Sequence, residues 1–242
     1  MKTSIVVGGS RGIGLTISEM FVQRGDYTYV ISRSINNSVG IHIPVDITNS
    51  EQIHKAFERI FNHNSTIDHL VFSQKNRKKS SNEDYEFNLT LNSIVEIIEI
   101  AKNHFNKNAS IVALGSPASQ FIFDEQPLDY HLSKGALESL VKYYAVKLGS
   151  SGIRVNSILP GTITKKENLY FYKNNLELTS LFKKIIPLGR QGTDKDVARL
   201  VKFLCSDDSS FITGQSILVD GGLSLVGQES LARKLKGLSR TK

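Results

Sequence analysis

The sequence predicts a single α/β domain built on an open, doubly wound parallel sheet with helices on both faces. Three observations carry this. Ile5-Val6-Val7 is an unbroken β-branched run, as expected of a strand covered on both faces. The run ends in a glycine-rich turn, Gly8 to Gly14. Beyond it Ile13, Ile17, Met20 and Phe21 fall on one helical stripe up to a Gly25 stop. Short apolar runs then keep alternating with amphipathic segments through 242 residues, a length at which such folds commonly stay single and bury ample core.

The rest of the composition narrows the class. No Pro-, Gly- or Ser-rich linker and no internal repeat divides the chain, and its apolar runs are too short to cross a bilayer. The first strand begins almost at Met1 and leaves no room for a secretory signal, so a soluble cytoplasmic protein is expected. The single cysteine, Cys205, sits in the apolar pattern of a helix and reads as a packing residue. The net charge is +7, of which Arg233, Lys234, Lys236, Arg240 and Lys242 against Glu229 place +4 in residues 229–242. The domain is therefore expected over 1–228, followed by a basic, solvated tail. Asn76-Arg77-Lys78-Lys79 reads as an exposed loop, and neither stretch makes a nucleic-acid or membrane partner the expectation.

The glycine turn points to a ligand. A strand, a glycine turn and a helix let backbone N–H groups and the positive helix end approach a pyrophosphate, the Rossmann arrangement for a dinucleotide. Glycines 8, 12 and 14 give G-x-x-x-G-x-G, not the commoner G-x-G-x-x-G. Tyr27 to Ile31 reads as the second strand, and the ribose is recognised just beyond its end. Ser32 and Arg33 stand there, donors suited to a 2′-phosphate where an NAD site has an acid. NADP(H) is the cofactor expected, with Arg11 as a second positive group, although both arginines also read as ordinary surface residues.

A third strand, Ile41 to Val45, ends at Asp46, which suits either the adenine amino group or a loop or helix-capping role. Ile53, Ala56, Phe57, Ile60 and Phe61 mark a helix, and Leu70-Val71-Phe72 a fourth strand. Phe87, Leu91, Ile94, Ile98, Ala101 and Phe105 predict a long helix over Asp84 to Phe105, followed by a strand from Ser110 to Leu114 and then Gly115-Ser116. The next helix starts near Pro127. It carries Tyr130 and Lys134, four apart on one face, and an ammonium beside a phenol favours the phenolate and lowers its pKa. Tyr143 and Lys147 repeat the spacing, but about 20 Å along the helix and turned by about 220°. Only Tyr130 lies near the helix start, at the strand ends where such sheets bind ligands. Tyr143 reads as packing at a subunit contact.

Gly8-x-x-x-Gly12-Ile13-Gly14, Asn88, Ser116 and Tyr130-x-x-x-Lys134 together resemble the short-chain dehydrogenase/reductase family. The likeness runs nearly end to end, through Asn156-Ser157-Ile158-Leu159-Pro160-Gly161, Ile186-Pro187-Leu188-Gly189-Arg190 and Phe211 to Gln215 with Val219-Asp220-Gly221-Gly222. It implies a seven-stranded Rossmann-type sheet in a homotetramer or homodimer, and a catalytic tetrad of Asn88, Ser116, Tyr130 and Lys134. It implies cofactor contacts from Gly8, Ser10, Arg11, Gly12, Ile13, Gly14, Ser32, Arg33, Asp46, Ile47, Ser73, Tyr130, Lys134, Pro160, Gly161, Ile163 and Thr164, and no metal. The later motifs are most similar to 3-oxoacyl-carrier-protein reductases. That implies reduction of a small-molecule ketone, free or carrier-linked, to a secondary alcohol. Where the family has Asn-Asn-Ala-Gly this chain has Phe72-Ser73-Gln74-Lys75, an altered cofactor edge with Lys75 available to a phosphate. A regulatory protein that binds cofactor but turns over weakly is the alternative. The segment Lys165 to Ile186, five lysines against two glutamates around Leu169, Tyr170, Phe171, Tyr172 and Phe182, is expected to cover the substrate.

Overall fold

Ile5 and Val7 face one helix layer and Val6 the other, because successive side chains of a strand point to opposite sides. The computed structural model describes residues 1–33, 39–76 and 83–238. Its parallel strands are β1 (Thr3–Val7), β2 (Tyr27–Ser32), β3 (Ile41–Pro44), β4 (Ile67–Phe72), β5 (Phe105–Leu114) and β6 (Arg154–Pro160). Two short paired strands, β7 (Ile163–Thr164) and β8 (Gly192–Thr193), lie apart, and β9 (Ser216–Val219) completes a seven-stranded sheet in the order β3-β2-β1-β4-β5-β6-β9. The order reverses between β1 and β4, so a crevice opens there at the carboxyl ends of the strands.

The helices are α1 (Gly12–Arg24), α2 (Ser50–His63), α3 (Glu83–Phe87), α4 (Ser93–Ala101), α5 (Leu128–Gly149), α6 (Leu169–Asn174), α7 (Leu176–Ile185), α8 (Asp194–Leu204) and α9 (Gln228–Leu235). The side of Ile5 and Val7 packs Ile53, Phe57 and Ile60 of α2, Ile94 and Ile98 of α4, and Leu137 and Val141 of α5. The side of Val6 packs Ile13, Ile17 and Phe21 of α1 against Val197, Val201 and Leu204 of α8. Each such side chain contributes roughly 1.5–3 kcal/mol when fully buried, and truncating Phe57, which is wholly buried, to alanine removes about 3–5 kcal/mol. Gly25 ends α1 with φ 90°, its N–H and that of Asp26 returning to Val22 and Phe21. Cys205 is buried just past α8. No helix of the described residues is long and apolar enough to cross a membrane.

The long helix expected over Asp84 to Phe105 is divided. A π-helical turn, Asn88–Asn92, separates α3 from α4, and α4 ends at Ala101. Phe105 shares the helical spacing only by number. It starts β5 opposite Ile67, and the register then shifts between Ile67 and His69 around Asn108, whose φ is 68°. The basic loop of 77–79 lies outside the described residues, as do Arg240 and Lys242. The tail begins as α9, whose Leu235 packs beside α7.

Candidate active site

Two adjoining cavities occupy the crevice, of about 380 and 410 Å³, sharing Arg11, Ser73, Gln74 and Lys75. Their floor is the glycine turn, and its glycines are there for close packing. A Cβ on Gly8 (φ 78°) would lie 2.6 Å from the Gln74 nitrogen, and one on Gly14 only 2.2 Å from the Gly8 carbonyl oxygen. The turn thus packs tightly under the loop after β4 and leaves the start of α1 at the cavity. Arg11 offers that helix no side-chain cap and its first turn holds no acid. This is an electropositive helix end, met across the cavity by the Lys165 and Glu167 side chains beside Gly12, and the turn itself fits a dinucleotide pyrophosphate.

Ser10, Arg11, Ser32, Arg33, Asp46, Ile47 and Ser73 line the first cavity with Gly8, and Gly12, Ile13, Pro160, Gly161 and Ile163 the second. Gly14 supports the turn from behind, and Thr164 lies in β7 pairing with Thr193. Arg33 donates to the Tyr85 hydroxyl at 3.2 Å, and Ser32 Oγ meets His42 Nε2 at 2.8 Å. Asp46 Oδ1 accepts from the Thr48 backbone and hydroxyl at 3.0 and 2.7 Å, so its carboxylate closes the turn into α2 while lining the cavity. The Gln74 amide donates to the Leu89 carbonyl at 3.3 Å, against the helical wall.

Ser116, Tyr130 and Lys134 line the second cavity together. Ser116 follows β5, and its loop is pinned to α5 by Ser119, whose hydroxyl donates to Glu138 and to the Ser116 carbonyl. Pro127 precedes the first turn of α5 and Tyr130 sits in that turn, which brings its hydroxyl to Ser116. One turn on, Lys134 is 6% exposed with its ammonium 5.0 Å from the Tyr130 ring centre. Asn88 is elsewhere. It is exposed, its carbonyl side taking a hydrogen bond from Asn92. The place beside Lys134 belongs to Glu86 and Thr90, at 3.4 and 3.3 Å from Nζ.

Burial dominates the protonation of this pair. The Tyr130 phenol is raised above its ordinary 10.0 by desolvation, which outweighs the Ser116 hydrogen bond, and the Glu86 charge pushes the same way. The lowering expected from a neighbouring ammonium is therefore not what the site produces. Lys134 is itself lowered, by burial first, with Glu86 opposing and Lys75 adding to the fall. Glu86 and Thr90 were missed in the sequence, although both are polar residues at i and i+4 among the apolar positions of one helical stretch, hence on one face. Of the segment Lys165 to Ile186, Lys165 and Tyr172 reach the cavity with Asn168. Phe182 stacks edge-on against Tyr172, while Tyr170 is 81% exposed.

The glycine turn beneath a crevice at the strand ends makes this a dinucleotide-binding type of α/β fold. The profile of a family described as enoyl-(acyl carrier protein) reductase matches residues 8–224. Carbonyl reductase family member 4 of Xenopus tropicalis is 31% identical over 93% of this chain and 98% of its own length. A 3-oxoacyl-[acyl-carrier-protein] reductase of Aquifex aeolicus is 29% identical over 92% and 97%. The crystal structure of a short chain dehydrogenase family protein from Francisella tularensis superposes with a TM-score of 0.81 and 29% identity, covering 93% of this chain and 100% of that one. The chain belongs to the short-chain dehydrogenase/reductase family. Members use NAD or NADP, act on small molecules and often form oligomers.

Proposed function

We propose that this protein is an NADPH-dependent reductase that converts a ketone, such as a 3-oxoacyl thioester or a related compound, to a secondary alcohol. The observation that carries the reading is the grouping of Ser116, Tyr130 and Lys134 on the wall of the crevice that meets the glycine turn. When bound, the reduced nicotinamide supplies the hydride. Ser116 donates a hydrogen bond to the substrate carbonyl oxygen and stabilises the negative charge that develops there. Tyr130 delivers its phenolic proton to that oxygen, a role that suits a phenol kept protonated by burial. Lys134 holds a ribose hydroxyl and supports Tyr130 by its charge. Asn88, with its side chain facing away, is given no proton-relay role in this reading.

The preference for NADPH rests on Arg11, Arg33 and Lys75 lining the first cavity, where Asp46 is the one acid among the described residues. These three charges suit a 2′-phosphate. A cytoplasmic location belongs to the same reading, as does assembly into a homotetramer or homodimer through α5, where Leu132, Tyr143 and Val146 are exposed. The protein is tested by following NADPH consumption over a panel of carbonyl compounds that includes a 3-oxoacyl carrier thioester. Binding of NADPH without turnover of any ketone would favour a regulatory, cofactor-binding protein.

A further inference from the structure

The wall beside Lys134 holds a carboxylate that the reaction as written above does not use. Glu86 is 3% exposed and lies 48 residues before Lys134. Its Oε1 receives Thr90 Oγ1 at 2.9 Å, Ser133 Oγ at 3.3 Å and Lys134 Nζ at 3.4 Å. Thr90 follows Glu86 by one turn and Ser133 precedes Lys134 on α5, so one oxygen ties the α3 and π-helical wall to the helix that carries Tyr130 and Lys134. A buried carboxylate without such donors is expensive, and the donors chosen include the ammonium that lies over the Tyr130 ring.

We infer that Glu86 is a positioning residue, whose carboxylate fixes the Lys134 ammonium in place and in its charged form beside Tyr130. This rests on the reading of Tyr130 and Lys134 as the reacting pair. Among the described residues, the charged and titratable groups about that pair are Glu86 from α3, Lys75 from the loop after β4, His131 beside the Tyr130 ring on α5, and Arg11, Lys165 and Tyr172 on the walls of the same cavity. Desolvation and Lys75 both drive Lys134 toward the neutral amine, and Glu86 opposes them. A neutral lysine lends Tyr130 no positive field and is a poorer donor to a ribose hydroxyl. Removing the negative charge also lowers every proton-release step of the coupled pair, because both Lys134 and Tyr130 bind protons more tightly while Glu86 is there.

The sign follows. In Glu86→Gln the alkaline limb of kcat/KM for reduction should move to lower pH by about one unit or more, and the acid limb of the reverse oxidation should move the same way. Glu86→Asp, which keeps the charge at a longer reach, should move both limbs less in the same direction and serves if the glutamine variant does not fold. The assay uses NADPH with ethyl acetoacetate, a small neutral 3-oxo ester. A second readout needs no turnover. The phenolate absorbance of Tyr130, taken as the difference between each protein and its Tyr130→Phe counterpart, should titrate at lower pH in Glu86→Gln than in the wild type. A slower Glu86→Gln enzyme with unmoved limbs and an unmoved phenolate titration would make Glu86 a structural tie only and overturn the inference. Retained turnover in Tyr130→Phe would instead defeat the reading of the site, leaving the phenolate shift to judge Glu86 by itself.

Discussion

The helix α5 carries the same pair twice, and the two copies differ in nearly everything but geometry. Lys134 lies 5.0 Å from the Tyr130 ring centre and Lys147 lies 5.6 Å from that of Tyr143. Yet Lys134 is 6% exposed, tied to Glu86 and Thr90, with Tyr130 at Ser116 and the mouth of the crevice. Tyr143 is 57% exposed, Lys147 is exposed, and the neighbouring ring is Tyr144, which donates to Glu99 at 2.9 Å. On the proposed reading, a tyrosine and a lysine one turn apart serve a reaction only where the surroundings remove water and supply partners. In the single chain the second pair faces water, where the cation–ring contact is worth about 0.5–1 kcal/mol and the charges are screened.

The largest expected difference between the pairs is in stability. Lys134→Met strands the buried Glu86 and should lower unfolding free energy by about 3–5 kcal/mol, with Glu86→Met in the same chain restoring much of it. Lys147→Met should stay within about 0.5 kcal/mol of the wild type. Denaturant unfolding of the three variants checks this, and equal losses at the two lysines would erase the contrast.

The cofactor end sharpens the comparison next. Arg33→Ala should reduce a preference for NADPH over NADH that is at least tenfold, a gap of about 1.4 kcal/mol, to near equality. Equal wild-type affinities in a binding titration would remove the basis for the NADPH assignment.

Smaller still is the effect of pH near neutrality. Because burial raises the Tyr130 phenol above 10.0, it stays protonated at pH 7. Reduction should then hold its rate through neutrality and fail only as pH climbs through the raised value, whereas oxidation, which needs the phenolate, should gain over that same range. An alkaline limb near pH 8 in the wild type would mean that bound cofactor or Lys134 overrides burial.

The smallest effect concerns the segment over the crevice. Lys166→Glu with Lys173→Glu, both exposed, should lower kcat/KM a few-fold for an anionic carrier-linked ketone at low salt, with little change in kcat and none for a neutral ketone, since exposed charges act over about 8 Å at physiological salt. Identical losses for both substrates would make these lysines structural. Lys165 lines the cavity, and Lys166 lies 4.0 Å from Glu19 with most of its surface in water.

Much of this was legible in the chain itself. The β-branched run at Ile5 to Val7, the Gly25 stop and the alternation of strand and helix are local signals, and they led directly to the sheet. That Tyr130 and not Tyr143 would reach the crevice followed from helix length and the rule that such sheets bind at their strand ends. What was not legible depended on neighbours distant in sequence. Phe105 continues a helical stripe by number but pairs with Ile67 once β4 is beside it. Asn88 stands in the expected position and turns outward at a π-helical turn, which leaves Glu86 and Thr90 facing Lys134. The direction of the Tyr130 shift required knowing how deeply the ring is buried, which spacing alone does not report.

The claim that surroundings, not spacing, make the reactive pair is tested most directly by single-turnover consumption of NADPH with one ketone in Tyr130→Phe and Tyr143→Phe, after both are shown to bind the cofactor as the wild type does. Removing the buried phenol should slow the hydride step by a factor of roughly 100 or more, and removing the exposed one should leave it within about twofold. Equal losses in the two variants, or a greater loss in Tyr143→Phe, would contradict it.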